Sequence, residues 1–269
     1  MVLDVRRALQ TGYDDLTSRT GRKVLAVLLV FNLVYSGVVT SFREDLLAVL
    51  RGSGYRTPRT IGIESQVGWE LLQFELPLWI LAPLAVLAVF AGEAIRFWAI
   101  QQFADLSLRS PPDPVKRLPV FLAVAGGFTL LVFGLTEVVP LLWAPSGVEA
   151  MARTTQAVSV VSLHLVGVTV YLRQELALTE AGAREAVRKS VRRFLTEPVP
   201  ILGLLALLGL GGALVGLAPM VASYLGLAGN ATVTQVGELV HVALGTVLST
   251  FSIAAVTDAY VQIRGGKFR

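Results

Sequence analysis

The sequence predicts an all-α fold, a polytopic bundle of six transmembrane helices with both termini in the cytoplasm and amphipathic helices at the cytoplasmic surface. Three observations carry this reading. Six apolar stretches, about 24–40, 71–92, 119–143, 155–172, 199–224 and 237–258, fill the chain, each near or above the ~20 residues a helix needs to cross ~30 Å of hydrocarbon. Hydrophobic residues make up 54% and charged residues 16% of the sequence, against ~25% charged in ordinary soluble domains. The cations, finally, fall almost entirely in every second gap between the stretches.

That alternation sets the orientation. Arg6, Arg7, Arg19, Arg22 and Lys23 precede the first stretch, and Arg96, Arg109, Lys116 and Arg117 occupy the second connection. Arg173, Arg184, Arg188, Lys189, Arg192 and Arg193 fill the fourth, and Arg264, Lys267 and Arg269 the C-terminal tail. The intervening connections hold only Arg43, Arg51, Arg56, Arg59 and Arg153. Lys and Arg near helix ends stay cytoplasmic, so the expected placement is a multi-pass protein of a prokaryotic cell membrane, N-in and C-in. The net charge of +4 follows this topology, and no nucleic-acid partner is expected. With no cysteine, disulfides, thiolate metal sites and cysteine nucleophiles are excluded.

Along the chain, Val2, Val5, Leu9, Tyr13 and Leu16 recur at helical spacing, which predicts a helix over about 2–18. It either lies in the headgroup layer or forms a solvated lead-in. The first apolar stretch has a basic flank, but Val38-Val39-Thr40-Ser41 lacks a small-x-small cleavage site, so an uncleaved first helix is expected. The first outer loop, about 41–70, is expected to begin with a short helix near Arg43–Arg51 and to break at Gly52-Ser53-Gly54. Pro77 and Pro83 fall in the second span, where proline removes a backbone donor and kinks a helix. The helical pattern then runs on to about Phe103, and Ser110-Pro111-Pro112-Asp113-Pro114 makes a turn.

The segment 181–195 reads as a basic amphipathic helix. Arg184, Arg188 and Arg192 form a cationic stripe, and Ala183, Val187, Val191 and Phe194 an apolar one. With Lys189 and Arg193, these arginines are the expected contacts for anionic lipid headgroups, each worth about 1 kcal/mol near the surface. The same helix also serves to enforce topology and cap the bundle. Pro198 and Pro200 end it and open the fifth span.

A long fourth helix, then Gly182-Ala-Arg-Glu-Ala-Val-Arg-Lys-Ser190, then a Pro-led fifth span resembles a group of six-helix archaeal and bacterial membrane proteins. The group includes the membrane domain appended to some glycerophosphodiester phosphodiesterases. Its members carry a Gly-x-x-Glu-Ala-x-x-x-Ser segment after span four and a Tyr- or Arg-containing end to the last span, here Asp258-Ala-Tyr260-Val-Gln-Ile-Arg264. The resemblance covers most of the chain by layout and about a dozen residues by motif. It implies the six-helix fold, but not the phosphodiester chemistry, which belongs to a separate catalytic domain.

Polar residues at membrane depth are the remaining candidates. Glu75, Glu137, Glu238 and His241 fall in the outer half of the bilayer and His164 near its middle. Glu238 and His241 share a helix face at i and i+3, a spacing that bundle metal sites use. The set is either an ion or relay cluster, with the metal question left open, or a group of residues reaching headgroups and neighbouring helices. At the cytoplasmic end, Glu93, Arg96, Arg173, Glu175 and Asp258 are expected to form structural ion pairs. Gly212 and Gly216 make a Gly-x-x-x-Gly pair that permits close helix contact, within the bundle or in a homodimer. Asn230-Ala-Thr232 is a glycosylation sequon in a loop too close to the membrane to be occupied.

No nucleophile constellation and no cofactor fingerprint appears, so neither enzyme activity nor a cofactor is expected. The leading expectation is a non-catalytic scaffold that contacts the bilayer's anionic headgroups or assists a membrane-protein partner. A small transporter or ion-conducting protein using the outer Glu/His cluster, and an intramembrane enzyme acting on lipid, are the alternatives.

Overall fold

The computed structural model describes residues 3–52, 74–104, 113–139, 169–224 and 231–265, and at 51, 136–137, 218–224, 231–235, 238 and 265 the backbone alone. These residues are helical, with no strand among them. The order is α1 (Val5–Thr17), α2 (Arg19–Gly52), α3 (Leu78–Ala104), α4 (Pro114–Phe121), α5 (Gly127–Phe133), α6 (Leu172–Leu178), α7 (Ala183–Thr196), α8 (Pro198–Tyr224) and α9 (Ala231–Gly265). Five-residue π segments, Leu122–Gly126 and Gly134–Val138, follow α4 and α5.

Among the described residues, five helical stretches are long and apolar enough to cross a membrane: Arg19–Leu50, Leu78–Ala104, Pro114–Phe133, Pro198–Leu217 and Leu239–Arg264. Their outward faces carry large apolar side chains such as Val30, Leu87, Leu210 and Leu214, each more than 60% exposed. Burying one such side chain is worth about 1.5–3 kcal/mol in water. Lipid removes that incentive, so the surface is that of a multi-pass membrane protein. The expected stretch 155–172 lies outside the described residues except for 169–172.

Local chemistry sets several boundaries. Asp4 caps α1 by accepting from the Arg7 N–H, and Asp113 caps α4 by accepting from the Val115 N–H with Pro114 in the first turn. Between α1 and α2, the Ser18 hydroxyl accepts from the Gly21 N–H at 2.9 Å. α2 is one unbroken helix to Gly52, so the segment expected as a separate helix near Arg43–Arg51 is its last third. Pro77 precedes α3 instead of lying inside it; the Ile80 and Leu81 N–H groups bond back to its carbonyl. There its missing N–H costs nothing. Pro83 does lie within the helix.

α9 is the hub, with α1, α2, α3 and α8 all packed on it. α2 runs antiparallel to it: Val24 and Leu28 cluster with Ala254, and the Asn32 amide donates to Thr246 Oγ1 at 2.9 Å. α1 packs on the bundle through small residues as well as through part of the expected apolar stripe, whose Val5 and Leu9 lie against the core cluster. Ala8 and Gly12 are buried, whereas Tyr13 is 62% exposed. A Cβ on Gly12 would lie 2.9 Å from the Ala255 Cβ, so small residues, and not the larger apolar ones, let the backbones meet.

The first and last described residues of the chain lie at one end of the bundle, called the base below. The Leu3 N–H donates to Glu197 Oε2 at 2.9 Å, and the Asp4 N–H to Gln262 Oε1 at 3.2 Å. The largest buried cluster is also at the base, where Phe97, Ile100, Phe121, Tyr171, Leu176, Ile201 and Tyr260 meet.

Candidate functional site at the base of the bundle

α6 positions the site. Leu172 and Gln174–Leu178 are buried, so the short helix is enclosed by its neighbours and each of its polar groups requires a partner. Arg173 and Glu175 point to different sides and anchor two separate charge networks.

The first is centred on Glu93 of α3, a fully buried carboxylate. Arg173 Nε donates to Glu93 Oε2 at 2.9 Å and Arg173 Nη2 to Oε1 at 2.8 Å. Thr129 of α5 donates to the same Oε1 at 2.7 Å and accepts from Arg173 Nη2 at 2.8 Å. Arg96, one turn along α3, donates from Nη1 to Oε1 at 2.7 Å. Two guanidiniums thus share one carboxylate, and α3, α5 and α6 are bound together. Bidentate, charge-assisted bonds of this kind are the strongest side-chain hydrogen bonds.

The second network is centred on Glu175, also fully buried. Arg193 of α7 donates from Nε to Glu175 Oε1 at 2.6 Å. Its guanidinium carbon lies 4.8 Å from the centre of the Tyr260 ring, a cation–π contact, and Tyr260 meets Tyr171 at 5.9 Å between ring centres. Around it, Arg264 Nη1 donates to the Leu178 carbonyl at 2.8 Å, and the Gln101 amide to the Ala177 carbonyl at 3.0 Å. The hydroxyls of Tyr171, Tyr260 and Thr257 and the Gln174 carbonyl oxygen are buried with no hydrogen-bond partner among the described residues.

The expected ion pairs at this end are therefore present for Glu93, Arg96 and Arg173. Glu175 pairs instead with Arg193, 18 residues further on. Asp258 makes no ion pair within 4.0 Å among the described residues; its Oδ2 accepts from the Gln262 amide at 2.6 Å. Arg193 was expected at the lipid surface and turns inward, because the face of α7 that packs on the bundle is Ala186, Ser190 and Arg193. Lys189 pairs with Glu185 at 2.8 Å, which holds the Glu185 carboxyl below its usual range. Arg184, Arg188 and Arg192 remain exposed. Of the expected apolar stripe of α7, Phe194 packs against the core cluster and Val191 is half-buried, whereas Val187 is 39% exposed. Thr129, Tyr171 and Gln174 escaped sequence reasoning because a lone hydroxyl, phenol or amide near apolar residues carries no periodic signal.

Of the outer cluster, the structure describes the side chains of Glu75 and His241 alone. Glu75 is exposed in the non-helical stretch before α3, not one turn inside the span. His241 bonds through Nδ1 to the Val215 carbonyl at 3.1 Å, tying α9 to α8. Glu137 falls in the second π segment and Glu238 in α9, with only their backbones described, and His164 lies outside the described residues. No three His, Asp or Glu side chains among the described residues come together to hold a metal. In α8 the close approach belongs to Gly211, where a Cβ would lie 2.9 Å from Leu248 Cδ1. At Gly212 the same carbon would make an ordinary 3.9 Å contact, and at Gly216 it would meet nothing among the described residues. No family model, curated protein or solved structure matches the chain.

Proposed function

We propose that the chain is a non-catalytic protein of the cell membrane with six crossings, whose base faces the cytoplasm and whose α7 binds anionic lipid headgroups while the braced base holds a membrane partner. The meeting of the chain's first and last described residues at the base supports an even number of crossings. With five apolar helices described, the sixth is assigned to the apolar run 155–172. The cation bias toward this end supports its cytoplasmic placement.

The observation that carries the lipid reading is the outward side of α7. Arg184, Arg188 and Arg192 stand about 6 Å apart along the axis, exposed, with no ion pair within 4.0 Å among the described residues. Val187 and Leu195 lie exposed beside them. Such a surface suits the membrane interface, with apolar groups dipping into the acyl boundary and arginines at the phosphates. The inner side, held by Ala186, Ser190 and the Arg193–Glu175 pair, fixes the helix in that attitude.

The test compares the wild type with Arg184→Gln/Arg188→Gln/Arg192→Gln in nanodiscs of mixed phosphatidylglycerol and phosphatidylcholine, reading which lipids are retained on extraction. The wild type should enrich phosphatidylglycerol and lose part of that enrichment in 0.5 M salt; the triple variant should show little. Equal retention by both proteins would sink the reading. Because the sequence lacks cysteine, a single cysteine placed at position 185 reports the side of the base by impermeant labelling.

A further inference from the structure

We infer that Arg96 and Arg173, around their shared carboxylate Glu93, form a binding site for a phosphate group, a site separate from the α7 surface and not required by the function proposed above. Both guanidiniums donate to the same oxygen, Glu93 Oε1, at 2.7 and 2.8 Å. One negative charge therefore answers two positive ones, and no other carboxylate among the described residues makes an ion pair within 4.0 Å with either arginine. An uncompensated cation held inside a membrane bundle is costly, and two guanidiniums held against one oxygen repel each other. A second anion on their open side removes both costs.

The donors for that anion are present. Arginine carries five N–H groups in a fixed fork that suits phosphate oxygens. Arg96 directs only Nη1 to Glu93, and Arg173 uses Nε and Nη2, leaving the rest of each guanidinium free of hydrogen bonds among the described residues. The site is also open: the Arg96 side chain is 39% exposed and that of Arg173 26%, while Glu93 beneath them is fully buried. The site lies in the half of α3 nearer the base, with Arg96 eight residues before Ala104 at the end of the helix. Thr129 keeps the arrangement rigid by bonding both Glu93 and Arg173, so the pocket is set before the ligand arrives.

The ligand chemistry is a phosphate monoester or diester, supplied by a lipid headgroup or as free phosphate. Native mass spectrometry of the full chain in detergent distinguishes these, with dioleoyl phosphatidylglycerol, dioleoylglycerol and inorganic phosphate as probes. Phosphatidylglycerol bound, dioleoylglycerol not bound and no competition from phosphate assigns a lipid; competition by phosphate in the low millimolar range assigns the free anion. Arg96→Gln should weaken binding about tenfold, and Arg96→Lys less. The variant Arg184→Gln/Arg188→Gln/Arg192→Gln should leave this saturable site intact. Binding lost in that triple variant but kept in Arg96→Gln would overturn the inference, as would equal binding of dioleoylglycerol. Should Arg96→Gln fail to fold, a photoactivatable phosphatidylglycerol on the wild type decides. Crosslinks within 92–100 and 170–176 support the site, and crosslinks confined to 184–195 reject it.

Discussion

Arg173 closes a two-pronged fork over Glu93, Nε on one carboxylate oxygen and Nη2 on the other, at 2.9 and 2.8 Å, between helices 80 residues apart in sequence. The fork accounts for how a fully buried carboxylate is tolerated in α3. Oε2 accepts from Arg173 Nε, and Oε1 accepts from Arg173, Arg96 and Thr129. Removing Arg173 takes away both bonds of the fork and leaves Glu93 held by Arg96 and Thr129 alone.

Arg173→Met should therefore destabilise the bundle by about 1.5–3 kcal/mol, the usual worth of hydrogen bonds to a charged group, since Arg96 still neutralises Glu93. Arg96→Gln, at a half-exposed arginine bonded to the same oxygen, should cost no more than about 1 kcal/mol. Unfolding midpoints in mixed detergent check both. Equal losses in the two variants would mean that the fork holds Glu93 no more strongly than Arg96 does.

The two faces of α7 should separate by property. Arg193→Ala removes the partner of buried Glu175 and the cation over Tyr260, and should cost about 3 kcal/mol of stability. Arg188→Ala, on the outward face, should change stability by less than about 0.5 kcal/mol while lowering anionic-lipid retention. The same unfolding assay and the nanodisc extraction read the two effects independently.

Docking of α1 depends on the absence of a side chain at Gly12. Gly12→Leu would drive a large group into the Ala255 backbone and side chain. Overpacking of this kind costs typically 1–3 kcal/mol, and here the simplest relief is for α1 to leave α9. Amide exchange should then rise across residues 5–17 and stay unchanged in α3. Unaltered protection of α1 would count against the close contact.

Asp15 supplies a pH dependence with a definite sign. Partial burial, then the carboxylates of Asp258 and Asp14, push it up to about 6 from 3.8. The folded chain thus holds this proton more tightly than the unfolded one. The associated stability is present below about pH 4 and is lost as pH rises from there through about 6. At neutral pH an ionised Asp15 opposes the docking of α1. Asp15→Asn should raise the unfolding midpoint at pH 7.5 and leave it nearly unchanged at pH 4; an equal shift at both would place the effect elsewhere than in the charge.

Period and composition made the helices legible. The apolar runs that became α2, α3, α8 and α9 are long enough to be read without any neighbour. The ion pair between Glu93 and Arg96 was accessible too, since i and i+3 share a helix face. The partners chosen across helices were not. The four-residue spacing set Arg192 on the cationic stripe and Arg193 off it, but nothing in the sequence paired Arg193 with Glu175 or separated Gly211 from Gly212. The apolar stripes of α1 and α7 located the buried side only in part: Val5, Leu9 and Phe194 pack on the core, whereas Tyr13 and Val187 are exposed. In a soluble helix the large apolar face is the buried one, but at a membrane surface lipid can take that face and leave small residues such as Ala8, Gly12, Ala186 and Ser190 to make the contact.

The sequence by itself thus determined that this chain is helical and built for lipid, and which end concentrates its positive charge, because hydropathy and helical period are properties of consecutive residues. Only the tertiary structure decided that Glu93 and Glu175 are enclosed at the base, each answered by an arginine from another helix. Burial and pairing are set by the rotation and register of packed helices, which depend on every neighbour at once.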